Sequence, residues 1–188
     1  MVQQWEKRVA YLGPEASFTY LAAEGLFKNE WLIPQTSIPD CISAVSEGKV
    51  DLAVVPVENA LEGSVPLTID YLFHEADLFV TAEIQSKIQQ HLLIHPKFKD
   101  NWREHLKAVY SHPHALAQCH KYLFYNLGSV PQNQYASTAA AAKLVAETED
   151  ECIAAIANLS AAKRYGLHIA EQNVHDFHFN HTRFFVLS

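Results

Sequence analysis

The chain has little glycine and little positive charge. Only 6 of its 188 residues are glycine, and no Gly-rich P-loop or dinucleotide-binding fingerprint occurs, which makes nucleotides poor ligand candidates. No Lys/Arg-rich run is present, and the formal net charge is -7. This balance argues against nucleic acid or an anionic membrane surface as the main partner. A locally positive site could still hold a small anion.

Long apolar segments are missing as well. No apolar run reaches the roughly 18 residues that a membrane helix needs, and the N-terminal residues 1–8 lack the apolar core and cleavage pattern of a signal peptide. The 3 cysteines, Cys41, Cys119 and Cys152, are odd in number and show no paired spacing. We therefore expect reduced, buried thiols in a cytoplasmic protein without a membrane partner.

What remains is the composition of a globular protein, with 49% hydrophobic and 19% charged residues. Short apolar runs alternate with segments of helical period, which predicts an α/β fold. The predicted strands are 8–12, 31–35, 51–57, 78–95 (interrupted), 106–111, 130–135, 152–157, 167–172 and 183–187. The predicted helices are 17–28, 39–48, 64–74, 113–125, 138–147 and 158–165.

The order strand–helix–strand–helix–strand–helix occurs twice, which predicts two lobes of similar topology. We place the first lobe at residues 1–80 plus 160–188 and the second at 81–159. The extended stretch 78–95 would cross between the lobes, and the stretch 167–188 would cross back. Such a double crossing predicts a hinge with a cleft between the lobes.

Small polar residues stand at five junctions where a predicted strand is followed by a helix. In open parallel sheets, ligands bind at this edge, against helix N-termini. For any single residue, helix capping is the favoured interpretation. Together the five could hold a small polyanion. They are Ser17, Ser64, Ser111 with His112, Ser137 with Thr138, and Asn158.

The C-terminal stretch 175–184 is the least ordinary part of the sequence. Its histidines at 175, 178 and 181 have the spacing of a metal site, but in an extended segment they would point to alternating faces, so metal binding is disfavoured. Arg183 lies in an apolar strand and needs a partner. That partner could be one of the protein's 21 acidic residues or a substrate carboxylate, and the residues leave both alternatives open. Cys119 falls on an apolar helical stripe and is expected to be structural, and Glu58 with Glu62 is a weak acid–base pair.

Five motifs resemble those of the prephenate dehydratase family, in the same order and from Val9 to the C-terminus. They are Gly13-Pro14-Glu15-Ala16-Ser17-Phe18, the segment from Pro56 to Val65, the segment from Ser111 to Cys119, Ser137-Thr138-Ala139-Ala140-Ala141, and Asn180-His181-Thr182-Arg183-Phe184. The Thr-Arg-Phe triplet in its context is the most specific of them.

The resemblance implies a two-lobed fold similar to type 2 periplasmic binding proteins, with the active site in the cleft. It implies decarboxylating dehydration of prephenate to phenylpyruvate in phenylalanine biosynthesis, without a cofactor or metal. Thr182 would be the catalytic hydroxyl, and Glu58 would be a second catalytic residue that supports the site and could relay a proton. The expected substrate-binding residues are Asn59, Gly63, Ser64, Ser111, His112, Gln118, Ser137, Thr138, Asn180, Arg183 and Phe184.

Two departures from the family pattern stand out. Ala60 occupies a position where the family usually has Ser or Thr, so one hydroxyl contact is missing. The sequence also ends at Ser188, before the C-terminal ACT domain through which phenylalanine regulates family members. It belongs either to an enzyme without this regulation or to a longer protein, and we expect no feedback by phenylalanine on the chain itself.

Two other functions stay open. Arogenate dehydration uses the same chemistry, and a non-catalytic small-anion binding module could use the same fold. A non-catalytic binding module does not need a hydroxyl donor at the carbon that reacts in the enzyme. The intact Thr-Arg-Phe triplet at 182–184 therefore favours the enzyme. A homodimer is compatible with the sequence.

Overall fold

The computed structural model describes residues 6–28 and 30–188, so residues 1–5 and 29 of the predicted first lobe lie outside the described part. The chain divides into two units. One contains the residues up to Ile88 together with Phe179–Ser188, and the other contains Gln89–His178. The predicted double crossing is therefore confirmed.

The helices and strands follow each other in an α/β order. In chain order they are β1 (Arg8–Leu12), α1 (Phe18–Leu26), β2 (Trp31–Gln35), α2 (Ile38–Ser46), β3 (Leu52–Asn59), β4 (Gly63–Ser64), α3 (Pro66–His74), β5 (Val80–Lys87), β6 (His91–Ile94), α4 (Trp102–His105), β7 (Ala108–Ser111), α5 (Pro113–Gln118), α6 (His120–Leu127), β8 (Gln132–Gln134), α7 (Thr138–Glu147), β9 (Ile153–Ala157), α8 (Leu159–Tyr165), β10 (His168–Glu171) and β11 (His181–Leu187).

The first unit is built on a mixed sheet with the strand order β2-β1-β3-β11-β5. Strands β2, β1 and β3 are parallel, and β11 runs antiparallel to both β3 and β5. Successive side chains of a strand point to opposite faces, so each face carries its own core. Val54 and Phe184 pack with residues of α1 on one face, and Val55 and Leu187 pack with residues of α2 on the other.

The second unit repeats this arrangement with the order β8-β7-β9-β6-β10. Strands β8, β7 and β9 are parallel, and β6 runs antiparallel to β9 and β10. The chain enters the first unit for the second time at β11, which lies beside β3, and it enters the second unit at β6, which lies beside β9. The entering strand thus has the same place in both sheets. The two similar α/β units predicted from the sequence are therefore confirmed.

The division between the units lies later in the chain than the predicted boundaries, 80/81 and 159/160. Residues 81–88 stay with the first unit because β5 pairs along its length with β11. Residues 160–178 stay with the second because α8 packs against α7 and β10 pairs with β6. These pairings join segments far apart in sequence, so local patterns could not place the boundary.

Most predicted elements are present, with three local differences. The predicted helix 113–125 is two helices, because Cys119 leaves helical geometry at φ -114° and ψ 17°. The short helix α4 and the two-residue strand β4 were not predicted. The expected left-handed residue after α8 is confirmed at Gly166, whose φ is 66°.

None of the helices in the described ranges is long and apolar enough to cross a membrane.

Candidate functional site

A β-bulge near the end of β3 organises the candidate site in the first unit. Along β11 the register advances one residue, from Arg183 to Phe184. Along β3 it advances two, from Glu58 to Pro56. Val57 is therefore the extra residue in β3. A bulge of this kind re-aims the side chains that follow it.

The bulge decides which side chains share a face. Thr182 lies opposite Asn59, and Arg183 lies opposite Glu58. Because neighbouring residues of a strand point to opposite faces, Thr182 and Asn59 share one face, and Arg183 and Glu58 share the other. Without the extra residue, Glu58 would lie on the face of Thr182 and Asn59 on the face of Arg183.

The Thr182 hydroxyl is held by an amide. Asn59 Nδ2 donates to Thr182 Oγ1 at 2.9 Å and to Asn180 Oδ1 at 2.9 Å. Asn59 Oδ1 accepts from the backbone N–H groups of Leu61 at 3.0 Å and Glu62 at 3.3 Å. These partners fix the orientation of the amide, with its nitrogen towards the hydroxyl.

The direction of this bond determines what the hydroxyl can do. A hydroxyl has one hydrogen and two lone pairs, and the bond from Asn59 occupies a lone pair. The hydrogen of Thr182 therefore stays available for donation to another oxygen. Thr182 is 9% exposed and Asn180 is 2% exposed, so both side chains bonded by Asn59 are largely shielded from water. A hydrogen bond made by Thr182 is therefore stronger than one at an open surface.

On the opposite face, Arg183 is held by two carboxylates. Its Nε and Nη2 donate to Glu83 at 2.9 and 2.7 Å, and its Nη1 donates to Glu58 at 2.6 Å. The hydrogen bond from Arg183 lowers the pKa of Glu83. Bonds to Glu83 and Glu58 raise the pKa of Arg183. Of the two partners considered for Arg183, the structure shows acidic residues of the protein. Binding of a substrate carboxylate by Arg183 stays a prediction.

Glu58 is not brought together with the hydroxyl. It follows the bulge on the face of Arg183, whereas Asn59 and Thr182 lie on the other face. A proton relay from Glu58 to Thr182 would have to pass around the end of the sheet. The structure therefore supports an ion-pairing role for Glu58 more directly than a catalytic one.

Gly63 and Ser64 lie beside these residues in β4, paired with Asn59 and Glu58. Gly63 has a φ of +83°, a conformation that favours glycine. Both residues are exposed. The expectation that Ser64 caps α3 is wrong, because the capping position belongs to Val65, which makes no side-chain bond there.

Phe184 lies in the core and not on an accessible surface. It is 1% exposed and packs in the cluster that contains Tyr11 and Val54. Its position next to Arg183 in the sequence puts it on Thr182's face, one step further into the sheet. We conclude that Phe184 anchors the strand that carries the hydroxyl.

In the second unit, two of the predicted substrate-binding residues take part in structural hydrogen bonds, Ser111 through its side chain and Gln118 through its backbone. Ser111 is fully buried, and its hydroxyl donates to the carbonyl of Ile156 at 2.6 Å, which ties β7 to β9. Gln118 ends α5, and its backbone carbonyl accepts from the N–H of Asp176 at 2.7 Å.

Helix capping explains most of the other predicted polar residues. Ser137 accepts from Ala140 N at 3.0 Å at the start of α7, and Thr138 is the first residue of that helix. His112 caps α5 by accepting at Nδ1 from His114 N at 3.3 Å. The capping interpretation is confirmed in the same way at Ser17 and Asn158.

The C-terminal histidines are divided between the two units. His175 Nε2 and His178 Nδ1 lie 3.3 Å apart in the second unit, and His181 Nδ1 contacts the carbonyl of Phe179 in the first. Within residues 6–28 and 30–188, no group of three or more His, Cys, Asp or Glu residues could hold a metal ion. Cys119 is fully buried, as expected, and burial raises the pKa of its thiol.

Glu83 is the residue that sequence analysis missed. It makes two of the three bonds to Arg183, yet the two residues are separated by 100 positions. The sequence indicated only that Arg183 needed an acidic partner. The alternation of side chains along β5 indicates that Glu83 points away from the core. It does not indicate that Glu83 lies near Arg183, because the register between β5 and β11 is known only from the folded sheet.

The repeated topology and the amide-held hydroxyl define a two-unit α/β protein that presents a hydrogen-bond donor at the end of a mixed sheet. The family model described as prephenate dehydratase matches residues 9–188. The chain belongs to the prephenate dehydratase family.

Individual relatives agree with this assignment. The chain is 49% identical to a prephenate dehydratase of Bacillus subtilis over 182 residues, which cover 96% of this chain and 64% of that protein. A solved prephenate dehydratase of Arthrobacter aurescens, in complex with L-Phe, has a TM-score of 0.85 at 28% identity and covers 96% of this chain and 60% of its own. A solved protein described as a quorum quenching acylase has a TM-score of 0.81 at 29% identity, covering 97% of this chain and 64% of its own. The chain thus spans less than two thirds of the length of each of these proteins.

Proposed function

We propose that this chain catalyses the decarboxylating dehydration of prephenate to phenylpyruvate. The observation that carries the proposal is the 2.9 Å bond from Asn59 Nδ2 to Thr182 Oγ1, in a chain that belongs to the prephenate dehydratase family along residues 9–188. The bond leaves Thr182 with a hydrogen to donate, and the reaction needs a donor.

The chemistry is simple in its demands. As the bond to the ring carboxylate breaks, its electron pair moves through the ring and expels the hydroxyl group as the ring becomes aromatic. Carbon dioxide leaves, and the departing oxygen takes one proton, supplied by the solvent, to become water. No base has to remove a C–H proton.

Thr182 serves this step as a hydrogen-bond donor to the departing oxygen. Threonine is a weak acid, so full proton transfer from its hydroxyl is not required. A hydrogen bond that strengthens as negative charge develops lowers the energy of the transition state more than that of the bound substrate. Asn59 is then a positioning residue, because its amide holds the oxygen and directs the hydrogen outwards.

The same geometry disfavours acyl transfer by Thr182. A nucleophilic hydroxyl needs a neighbouring base to accept its proton. The group that bonds Thr182 Oγ1 is the amide nitrogen of Asn59, which is a donor and cannot accept a proton. The hydroxyl is arranged to give a hydrogen bond and not to attack a carbonyl.

The direct test mixes the purified chain with prephenate and follows phenylpyruvate by its absorbance. We expect phenylpyruvate and carbon dioxide to form in equal amounts. Absence of turnover by a folded chain would refute the proposal. Turnover of arogenate in preference to prephenate would change the substrate while keeping the reaction.

A further inference from the structure

Ser86 lies directly opposite Thr182 on the strand next to it. The register of β5 and β11 pairs Ser86 with Thr182, and Ile84 with Phe184. Ile84 packs against the core cluster that contains Phe184, so these two share a face. Because side chains alternate along a strand, Ser86 shares the face of Thr182.

A row of three polar side chains therefore crosses the sheet. Asn59, Thr182 and Ser86 stand at the same level on β3, β11 and β5. One step further into the sheet the same face is apolar, with Phe184 in the core and the partly buried Ile84 packed against it. Directly opposite residues of an antiparallel pair have Cβ atoms about 4.5–5.5 Å apart. A single oxygen atom of a ligand can therefore contact the hydroxyls of both Thr182 and Ser86.

The Ser86 hydroxyl differs from its neighbours in having no protein partner. It is half-buried, and no residue in the part of the chain that the structure describes forms a hydrogen bond with it. By contrast, Thr81 on the same strand donates to the carbonyl of Val186 at 3.2 Å. Polar groups that are shielded from water usually have a partner in the protein or an ordered water. Because Ser86 has no protein partner, its hydroxyl is available to a ligand or a bound water.

We propose that Ser86 is a further catalytic residue, whose hydroxyl donates a hydrogen bond to the departing oxygen together with Thr182. The inference rests on the proposed function and adds a second donor to it. Two donors directed at one oxygen stabilise its developing charge better than one. Ser86 therefore acts in the transition state more than in substrate binding.

The test compares Ser86→Ala with Ser86→Thr in prephenate turnover. A neutral hydrogen bond in the transition state predicts that Ser86→Ala lowers kcat roughly 3- to 10-fold with little change in KM. Ser86→Thr keeps a hydroxyl and should retain most of the activity. The matched control is Gln85→Ala, on the same strand but on the opposite face, where Gln85 is exposed. It should behave like the wild type.

A double variant adds an independent readout. If both hydroxyls act on one oxygen, Ser86→Ala should cost less in kcat when Thr182 is already Ala than it does alone. Wild-type kcat and KM in a folded Ser86→Ala variant would overturn the inference and leave the proposed function intact. A raised KM with unchanged kcat would also overturn it, because the bond would then not be specific to the transition state. Failure of the wild type to form phenylpyruvate would refute the proposed function and this inference together.

Discussion

Removing the Thr182 hydroxyl is the sharpest perturbation of the proposed mechanism. In Thr182→Ala the substrate loses its donor, while the strand keeps its backbone pairing. The Asn59 amide also keeps partners, since its nitrogen still has Asn180 Oδ1 at 2.9 Å and the carbonyl of His181 at 3.2 Å. The fold should therefore tolerate the change.

The expected magnitudes separate catalysis from stability. Removing one hydrogen-bond donor from an oxygen that gains negative charge typically lowers kcat about 10²–10³-fold, which corresponds to about 2.7–4 kcal/mol of activation free energy. Loss of the single bond between Thr182 and Asn59 should cost about 1 kcal/mol of unfolding free energy. The fall in kcat should thus be much larger than any effect that instability could cause.

The assay measures initial rates of phenylpyruvate formation together with the melting temperature of each variant. Thr182→Ser keeps the hydroxyl and should retain substantial activity. Thr182→Val keeps the shape without the hydroxyl and should behave like Thr182→Ala. A folded Ala variant with wild-type kcat would show that Thr182 is not the donor.

The partner of Thr182 offers a test of the bond's direction. Asn59→Asp replaces a donor by an acceptor of nearly the same shape, so the Thr182 hydrogen would turn towards the new carboxylate. We expect kcat to fall towards that of Thr182→Ala although the hydroxyl is still present. Retention of full activity would mean that Asn59 does not direct the hydrogen.

Three further predictions concern the ion pair and the backbone. Arg183→Lys cannot reproduce the two-pronged bond to Glu83, so the melting temperature should fall. A raised KM in the same variant would assign Arg183 to the substrate, and an unchanged KM would limit it to the structural ion pair. The pKa of Glu83 is lowered from its ordinary 4.5, so its contribution to stability is complete above that value and is lost as the pH falls through its lower folded pKa. Glu83→Gln should flatten this acid limb in thermal melts. Gly25, inside α1, has no heavy atom within 4 Å of an added Cβ, whereas Gly48 has a φ of +67°. In chemical denaturation, Gly25→Ala should raise the unfolding free energy by about 0.5–1 kcal/mol, and Gly48→Ala should lower it by about 1 kcal/mol.

The sequence by itself determined most of the secondary structure and the identity of the candidate hydroxyl. Capping residues and helical periodicity act within a few positions, so α7 begins after Ser137 where the pattern predicts it. The repeated strand–helix order likewise predicts two similar sheets, because each apolar strand must be covered by the helices that follow it. Thr182 was recognisable from its motif without any knowledge of its neighbours.

Only the tertiary structure decided which side chains meet. One extra residue, Val57, puts Asn59 beside Thr182 and Glu58 beside Arg183, and a shift of one residue in a strand reverses every face. No local pattern carries that information, because the register depends on pairing between segments more than 100 positions apart. The partnership of Glu83 with Arg183 and the position of Ser86 opposite Thr182 arise in the same way. Local interactions select the elements, and long-range pairing of strands assembles the site.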